Sequence, residues 1–254
     1  MNLARKTWNK YIKALSAIND KASNEMLAFI EKGGGYENIP VDRVIDYGYA
    51  LATKYGEASG ALSAEMYDAI AELSKANVPP AVPADTATYH DVAKAVQGSA
   101  KFSTNESYIA EVIGRLVKQA GADTTLQNAL RDGAQFAWIP SGDTCMFCIT
   151  LASRGWQTAS KDAIKNGHAE HIHSNCDCTY AIRFNESTQV RGYDPEKYLA
   201  MYQAADGATG KDKINAMRRE AYQINKDKIN AQKRSNYAKM KARESSKAEE
   251  LNVD

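Results

Sequence analysis

All four cysteines of this 254-residue chain fall in one short window. Cys145 and Cys148 form a C-x2-C pair, and His173, Cys176 and Cys178 follow as H-x2-C-x-C. Zinc requires about four soft or borderline ligands at tetrahedral corners, and two short-range pairs joined by a loop supply them at a small entropic cost. The pattern therefore predicts a zinc module, which limits how this part of the chain can fold.

The spacing leaves the fourth ligand open. An all-cysteine shell and a shell of three cysteines with His173 can both be built, and His171 could replace His173 or serve as an outer-shell partner. The alternatives to zinc are two disulfides or four unrelated buried thiols. Because five candidate ligands leave little need for the open water position of a catalytic site, we expect a structural zinc ion.

Cysteine chemistry also depends on the compartment. The sequence has no signal peptide before Trp8 and no apolar run of the roughly 18 residues that a membrane span needs. We therefore expect a protein that is made and kept in a reducing cytosol, without a membrane partner. Reduced cysteine pairs at this spacing favour zinc over disulfides.

Helical periodicity dominates the chain before the cysteine window, and at 44% hydrophobic residues the chain can bury a substantial core. Apolar residues from Leu3 to Ile30 predict a first helix that ends at Gly33-Gly34-Gly35. A second helix is expected from Pro40 to Asn77, antiparallel to the first, before Pro79 stops it.

Three shorter helices are expected after the prolines. They cover residues 87–97, 105–120 with Ser103 or Thr104 as cap, and 124–133. The tryptophans are interpreted as core residues rather than ligand-stacking groups. These are Trp8, Trp138 and Trp156.

The character changes between Phe136 and Phe184. Residues 179–184 alternate as a strand does, and a helical insert is expected around 159–166. The predicted fold is mainly α, with an N-terminal helical bundle, a small α+β zinc-knuckle module and a basic C-terminal helical tail. The corresponding domains are residues 1–134, 135–190 and 191–254.

The tail is basic although the net charge of the whole chain is only +1. Residues 211–254 carry 12 Lys/Arg against 7 Asp/Glu, which leaves 20 against 24 for the rest. The pattern Arg218-Arg219-x2-Tyr222 recurs as Lys233-Arg234-x2-Tyr237, displaying two basic faces on one helix. Such a helix can follow phosphates and release counterions, which predicts double-stranded DNA binding without sequence preference.

The candidate DNA contacts are the basic residues of this tail: Arg218, Arg219, Lys226, Lys228, Lys233, Arg234, Lys239 and Lys241. A basic helix could equally bind an acidic protein surface, or its charges could serve only to keep it solvated.

The residues of the cysteine window carry a family resemblance. The run from Trp138 to Gly155, followed by His173-Ser-Asn-Cys176-Asp-Cys178-Thr179, resembles the phage head morphogenesis family of Mu F-like minor capsid proteins. The resemblance implies a low-copy protein of the virion, inside the capsid, associated with the portal or major capsid protein and with genomic DNA. It implies a role in assembly in the host cytoplasm or in DNA delivery, and neither catalysis nor a small-molecule substrate.

A zinc-dependent nuclease or related hydrolase is the alternative from a different functional class. It would use His168, His171 and His173, with Asp177 or Glu170 as acid-base groups. Histidine-rich finger nucleases usually carry a further ligand on a following helix. The sequence predicts no such helix directly after Cys178.

Overall fold

In the computed structural model, the described residues are 2–102, 106–141, 144–163, 178–190 and 193–250. The expectation of a mainly α fold is confirmed, and the helices are accompanied by a small three-stranded sheet. In chain order the elements are β1 (Asn2–Leu3), α1 (Arg5–Lys32), α2 (Val41–Ser74), α3 (Tyr89–Phe102), α4 (Glu106–Asp132), β2 (Gln135–Ile139), α5 (Met146–Ala152), β3 (Gln157–Thr158), β4 (Thr179–Arg183), β5 (Gln189–Val190), α6 (Pro195–Ala204) and α7 (Gly210–Glu250).

The predicted pair of long helices is present. α1 ends at Gly33, and Gly34 and Gly35 follow with φ of 79° and 109°, a backbone conformation that favours glycine. Tyr11, near the start of α1, forms a hydrogen bond with Ser63, in the second half of α2. Phe29, near the end of α1, stacks on Tyr47, near the start of α2. The two helices are therefore antiparallel.

α4 is one continuous helix where the sequence predicts two, so the expected break between residues 120 and 124 is wrong. The Thr124 hydroxyl donates to the Ala120 carbonyl at 2.8 Å, and Thr125 donates to Gly121 at 3.2 Å. These bonds satisfy both hydroxyls within the helix, and the packing of neighbouring helices offsets the low helix propensity of Gly121. The predicted caps Ser103 and Thr104 lie outside the described residues.

Small residues allow α4 to approach α2 closely. A Cβ atom at Gly121 would lie 2.6 Å from Ser59 Oγ and 2.8 Å from Ser63 Oγ. One at Gly60 would lie 3.2 Å from Thr124 Oγ1. Larger side chains at these positions would force the two helices apart.

An extended segment, residues 76–88, connects α2 to α3 and is held by side chains of the long helices. Asn128 pairs with Val82 in both directions, accepting from its N–H at 3.0 Å and donating to its carbonyl at 2.8 Å. Thr124 Oγ1 accepts from the Ala84 N–H at 2.9 Å. The Arg131 guanidinium donates to the carbonyls of Pro79 and Pro80 at 2.9 and 3.1 Å. Side chains thus supply the partners that a neighbouring strand would supply.

Asp132 completes this arrangement at the end of α4. It accepts from Tyr67 at 2.8 Å and forms an ion pair with Arg131, and its side chain is only 3% exposed. Hydrogen bonds from Arg131 hold the pKa of Asp132 below its usual range. Burial, followed by the hydrogen bond to Asp132, raises the pKa of Tyr67. The pair is therefore a charged carboxylate and a neutral phenol.

β2 lies at the centre of the sheet, with β3 and β4 antiparallel on either side. β4 confirms the strand predicted at residues 179–184, although it is buried on both faces rather than alternating. The buried Trp138 faces Tyr180 at a ring distance of 4.7 Å. Trp8 and Trp138 are core residues as predicted, and Trp156 is half-buried.

The chain forms two compact units, residues 1–199 and 200–254. The first contains both the long helices and the sheet, and the predicted division at residues 134 and 190 stays a prediction. Of the helical insert expected around 159–166, residues 161–163 are helical, residues 159–160 are not, and residues 164–166 lie outside the described residues. Within the described ranges, no helix has the length and apolarity needed to cross a membrane.

Candidate metal module and basic helix

The first cysteine pair lies at the start of α5. Cys145 is the N-cap of this helix, and its Sγ accepts a hydrogen bond from the Cys148 N–H at 3.4 Å. Unsatisfied N–H groups at a helix N-terminus favour a negative charge. The C-x2-C spacing therefore places Cys145 at the cap position, where the Cys148 N–H is directed at its sulfur.

Cys178 lies directly before β4 and meets the chain that leaves β2. Its Sγ accepts a hydrogen bond from the Ser141 N–H at 3.4 Å, and its thiol donates to the Ser141 carbonyl oxygen at 3.8 Å. The pairing of Ile139 with Thr179 brings these two segments together. The sheet thus positions Cys178 beside the segment that leads to Cys145.

Cys145, Cys148 and Cys178 all contribute to one hydrophobic cluster. Cys148 and Cys178 are buried with side chains of the sheet, and Cys145 packs against them at intermediate exposure. Cys148 also lies near Tyr180, whose pKa is raised mainly by burial. The described structure therefore places three predicted ligands at one end of the sheet.

The other predicted ligands, His173 and Cys176, lie outside the described residues. The same holds for His171 as a possible replacement and for the histidines and carboxylates of the hydrolase alternative. Among residues 2–102, 106–141, 144–163, 178–190 and 193–250, no group of three or more Cys, His, Asp or Glu side chains is placed to hold a metal ion. The zinc site stays a prediction.

The donor chemistry of the described cysteines fits zinc. Zinc binds cysteine sulfur, and a sulfur that holds zinc can also accept a hydrogen bond from a backbone N–H. Cys145 and Cys178 each accept such a bond from a backbone N–H. Sequence analysis did not single out Ser141 as a donor, since it is 37 residues from Cys178 in the chain.

An aromatic row borders the module. The Arg183 guanidinium lies 4.8 Å from the ring of Trp156, which meets Tyr193 edge-on at 5.9 Å. Tyr193 donates to the Ala152 carbonyl at the end of α5 at 2.8 Å. Burial raises the pKa of Tyr193, so its hydroxyl stays a neutral donor. These contacts attach the segment before α6 to the module.

α7 carries all eight residues predicted to contact DNA. Each of those with a described side chain is exposed, as are Tyr222, at 37%, and Tyr237, at 61%. The side chain of Lys239 is outside the described part. Met217 is buried near the start of α7, but most of the later described side chains of this helix are exposed, so apolar packing accounts for little of its sequence.

Local contacts define where α7 begins. The Lys213 ammonium donates to the carbonyl of Ala205 at 2.7 Å and to those of Tyr202 and Gln203 at 3.4 Å. Thr209 and Asp212 form a capping box, and the hydrogen bonds from Thr209 lower the pKa of Asp212. The junction is therefore a structured turn.

The model of the VG15 protein family matches residues 2–205 of this chain. The chain belongs to the VG15 protein family. This is a phage-associated family, consistent with a structural or assembly role. No curated protein and no solved structure matches the chain.

The VG15 match has a clear structural boundary. It begins at β1, includes the long helices, the sheet and the cysteine module, and ends at residue 205, directly after α6. α7 follows the matched region. The matched residues thus cover the first compact unit and α6, and the match does not extend over the basic helix.

Proposed function

We propose that this VG15 family member is a phage minor capsid or head morphogenesis protein, present in the virion at low copy number. In this proposal it lies inside the capsid and contacts the portal or the major capsid protein. It acts in assembly within the host cytoplasm or in delivery of the genome. The proposal rests on family membership together with the Cys/His pattern of residues 145–178, which resembles Mu F-like proteins.

The observation that supports DNA association is the exposure of α7. Its basic side chains extend into solvent along a helix of 41 residues. At about 1.5 Å per residue, the two repeated motifs are separated by roughly 22 Å along the helix axis. Two groups of positive charge at this separation can bind two separate sets of phosphates without reading base edges. We therefore propose double-stranded DNA as the partner of α7.

The zinc ion proposed for the cysteine module would be structural. Cys145, Cys148 and Cys178, with His173 or Cys176 completing the set, would hold it, and its role would be to stabilise the fold of this segment. The buried positions of Cys148 and Cys178 within the cluster support this role. We propose no catalytic activity for the protein.

The virion assignment predicts where the protein is found. In a lysate of a phage that encodes it, peptides of the chain should co-purify with DNA-filled particles, at far fewer copies than the major capsid protein. Quantitative mass spectrometry of particles separated on a density gradient measures this ratio. Empty and filled particles compared in parallel show whether the protein is already present before packaging. Its absence from both kinds of particle would refute the proposal.

The DNA assignment predicts a salt-dependent contribution from α7. Replacing Arg218, Arg219, Lys233 and Arg234 by glutamine should weaken binding to duplex DNA by about tenfold or more at moderate salt. The slope of log K against log salt should fall by about 0.9 for each phosphate that the variant no longer neutralises. Fluorescence anisotropy at several salt concentrations, with two unrelated duplex sequences, measures both effects.

A matched variant controls for net charge. Lys6, Lys10, Lys13 and Lys21 are exposed on α1, and their replacement by glutamine removes the same number of charges. This variant should keep the slope of the unmodified protein. If both variants show the same reduced slope, α7 is not the DNA-binding element. If neither variant binds DNA less tightly than the unmodified protein, and α7 binds an acidic protein instead, the partner of α7 is a protein surface.

A further inference from the structure

The three long helices of the first unit contribute to two separate hydrophobic clusters. One contains residues 8–15 of α1, 67–70 of α2 and 122–129 of α4, together with β2 and β4; we call this the sheet half. The other contains residues 22–30 of α1, 44–55 of α2 and 109–117 of α4, together with Val92 and Val96 of α3; we call this the helical half. All three long helices thus pass from one cluster into the other.

A layer of polar and small residues separates the two clusters. It consists of Asn19 on α1, Ser59 and Ser63 on α2, and Lys118 and Gly121 on α4, and each of the four polar members is 8% exposed or less. Gly121 lies against both serines, and a Cβ at Gly114, one turn before Lys118, would lie 3.4 Å from the Asn19 carbonyl oxygen. We call these five residues the polar layer.

The polar layer is incompletely satisfied among the described residues. The Lys118 Nζ, Asn19 Oδ1 and Ser59 Oγ atoms are buried and have no hydrogen-bond partner within the part of the chain that the structure describes. A buried ammonium and buried polar atoms without partners destabilise the packing around them. The layer therefore contributes less cohesion than the apolar clusters on either side.

The two halves also differ in their connections. The sheet half is joined across distant parts of the chain by the β2–β4 ladder and by the hydrogen bond that Tyr67 donates to Asp132. The helical half contains helices alone, and its bonds from Tyr55 to Glu25 and from Tyr89 to Asp46 are partly or fully exposed. The sheet half is therefore the more strongly constrained of the two.

We propose that the polar layer divides the helical body into two cooperative halves, so that the helical half opens and recloses while the sheet half stays folded. The part of each long helix that opens extends as far as the polar layer. Opening exposes the apolar side chains of the helical half, such as Met26 and Ile45, to solvent. The cysteine-bearing end keeps its structure during this change. The device allows one end of the body to rearrange without global unfolding.

Native-state hydrogen exchange on the full chain tests the proposal. Amides at residues 22–30, 44–55 and 109–117 should share one opening equilibrium, with protection factors at least about tenfold lower than those at residues 8–15, 67–70 and 122–129. Low concentrations of denaturant should promote exchange of the first group with a slope smaller than that of global unfolding, because opening of the helical half exposes only part of the apolar surface. One opening free energy shared along the whole length of all three helices would overturn the proposal.

A substitution in the layer gives the second test. Lys118→Met removes the buried ammonium while keeping much of the side-chain volume, and should raise protection in the helical half by about tenfold. Lys13→Met, at an exposed site on α1, serves as the matched control and should leave both halves unchanged. Helical-half protection that stays at the wild-type level in Lys118→Met would contradict the proposal. If this variant does not fold, the wild-type exchange pattern still decides the question.

Discussion

Replacement of Cys148 by serine is expected to reduce the zinc content of the purified protein from about one ion per chain to near zero. Cys148 is 1% exposed, so loss of the metal also leaves a hydroxyl buried without its partner. Since a structural zinc ion contributes folding free energy directly, the free energy of unfolding should fall by roughly several kcal/mol. Elemental analysis and calorimetry on the same samples measure both quantities.

Two comparisons make the zinc test specific. The unmodified protein treated with a chelator should match Cys148→Ser in stability, and a chelator should cause no further loss in the variant. Met146→Ser changes a neighbouring half-buried residue of the same helix and should keep its zinc. Purified unmodified protein that contains no zinc would remove the basis of the metal module. Full zinc content in Cys148→Ser would exclude this cysteine as a ligand.

Replacement of Gly121 by alanine is expected to destabilise the protein by about 2 kcal/mol, in spite of the helix propensity of alanine, which is higher by about 1 kcal/mol. The added methyl group would meet Ser59 Oγ at 2.6 Å and the Ser59 carbonyl oxygen at 3.3 Å. Relief requires α2 and α4 to separate, which would also loosen the packing of both hydrophobic clusters. Chemical denaturation of the full chain measures the change.

Gly98→Ala supplies the opposite expectation. A Cβ at Gly98 in α3 meets no atom within 4 Å, so this substitution should stabilise the protein by about 0.5–1 kcal/mol through reduced backbone entropy. The two substitutions are chemically identical and differ only in their surroundings. If both stabilise the protein, the close approach of α2 to α4 is not required by the fold.

Local signals predicted much of the fold. α1 and α2 follow from apolar spacing and from glycine and proline at their ends, because these features act within a few residues. α6 begins at Pro195, and Asp194, as its N-cap, accepts from the Lys197 N–H at 3.2 Å. In each case the chain segment itself contains the information.

Other features depend on contacts between distant residues. The continuity of α4 reflects the packing of α1 and α2 around it, and a sequence window that ends at Gly121 does not include those helices. Lys118 lies in an apolar helical pattern, where sequence reasoning gave it no role. The hydrogen bonds between Asn128 and Val82 join residues 46 positions apart. No periodicity indicates such a pairing.

The candidate site divides in the same way. The C-x2-C spacing identified Cys145 and Cys148, and the turn that joins them is local. The meeting of Cys178 with Ser141 required the register of β2 and β4, which sequence reasoning did not fix. The charge pattern behind the DNA-binding proposal for α7 was visible in the sequence, whereas the exposure of its basic side chains required the structure.

The extended segment at residues 76–88 limits how the length of this chain can change. Thr124, Asn128 and Arg131 lie on successive turns of α4 and bind residues 84, 82 and 79–80, so the segment runs against the helix in a fixed register. Insertion or deletion of one residue within it would displace each of these pairs together. Length variation among related chains should therefore accumulate at residues 33–40 or 205–209, while this exposed, proline-containing connection keeps a constant number of residues.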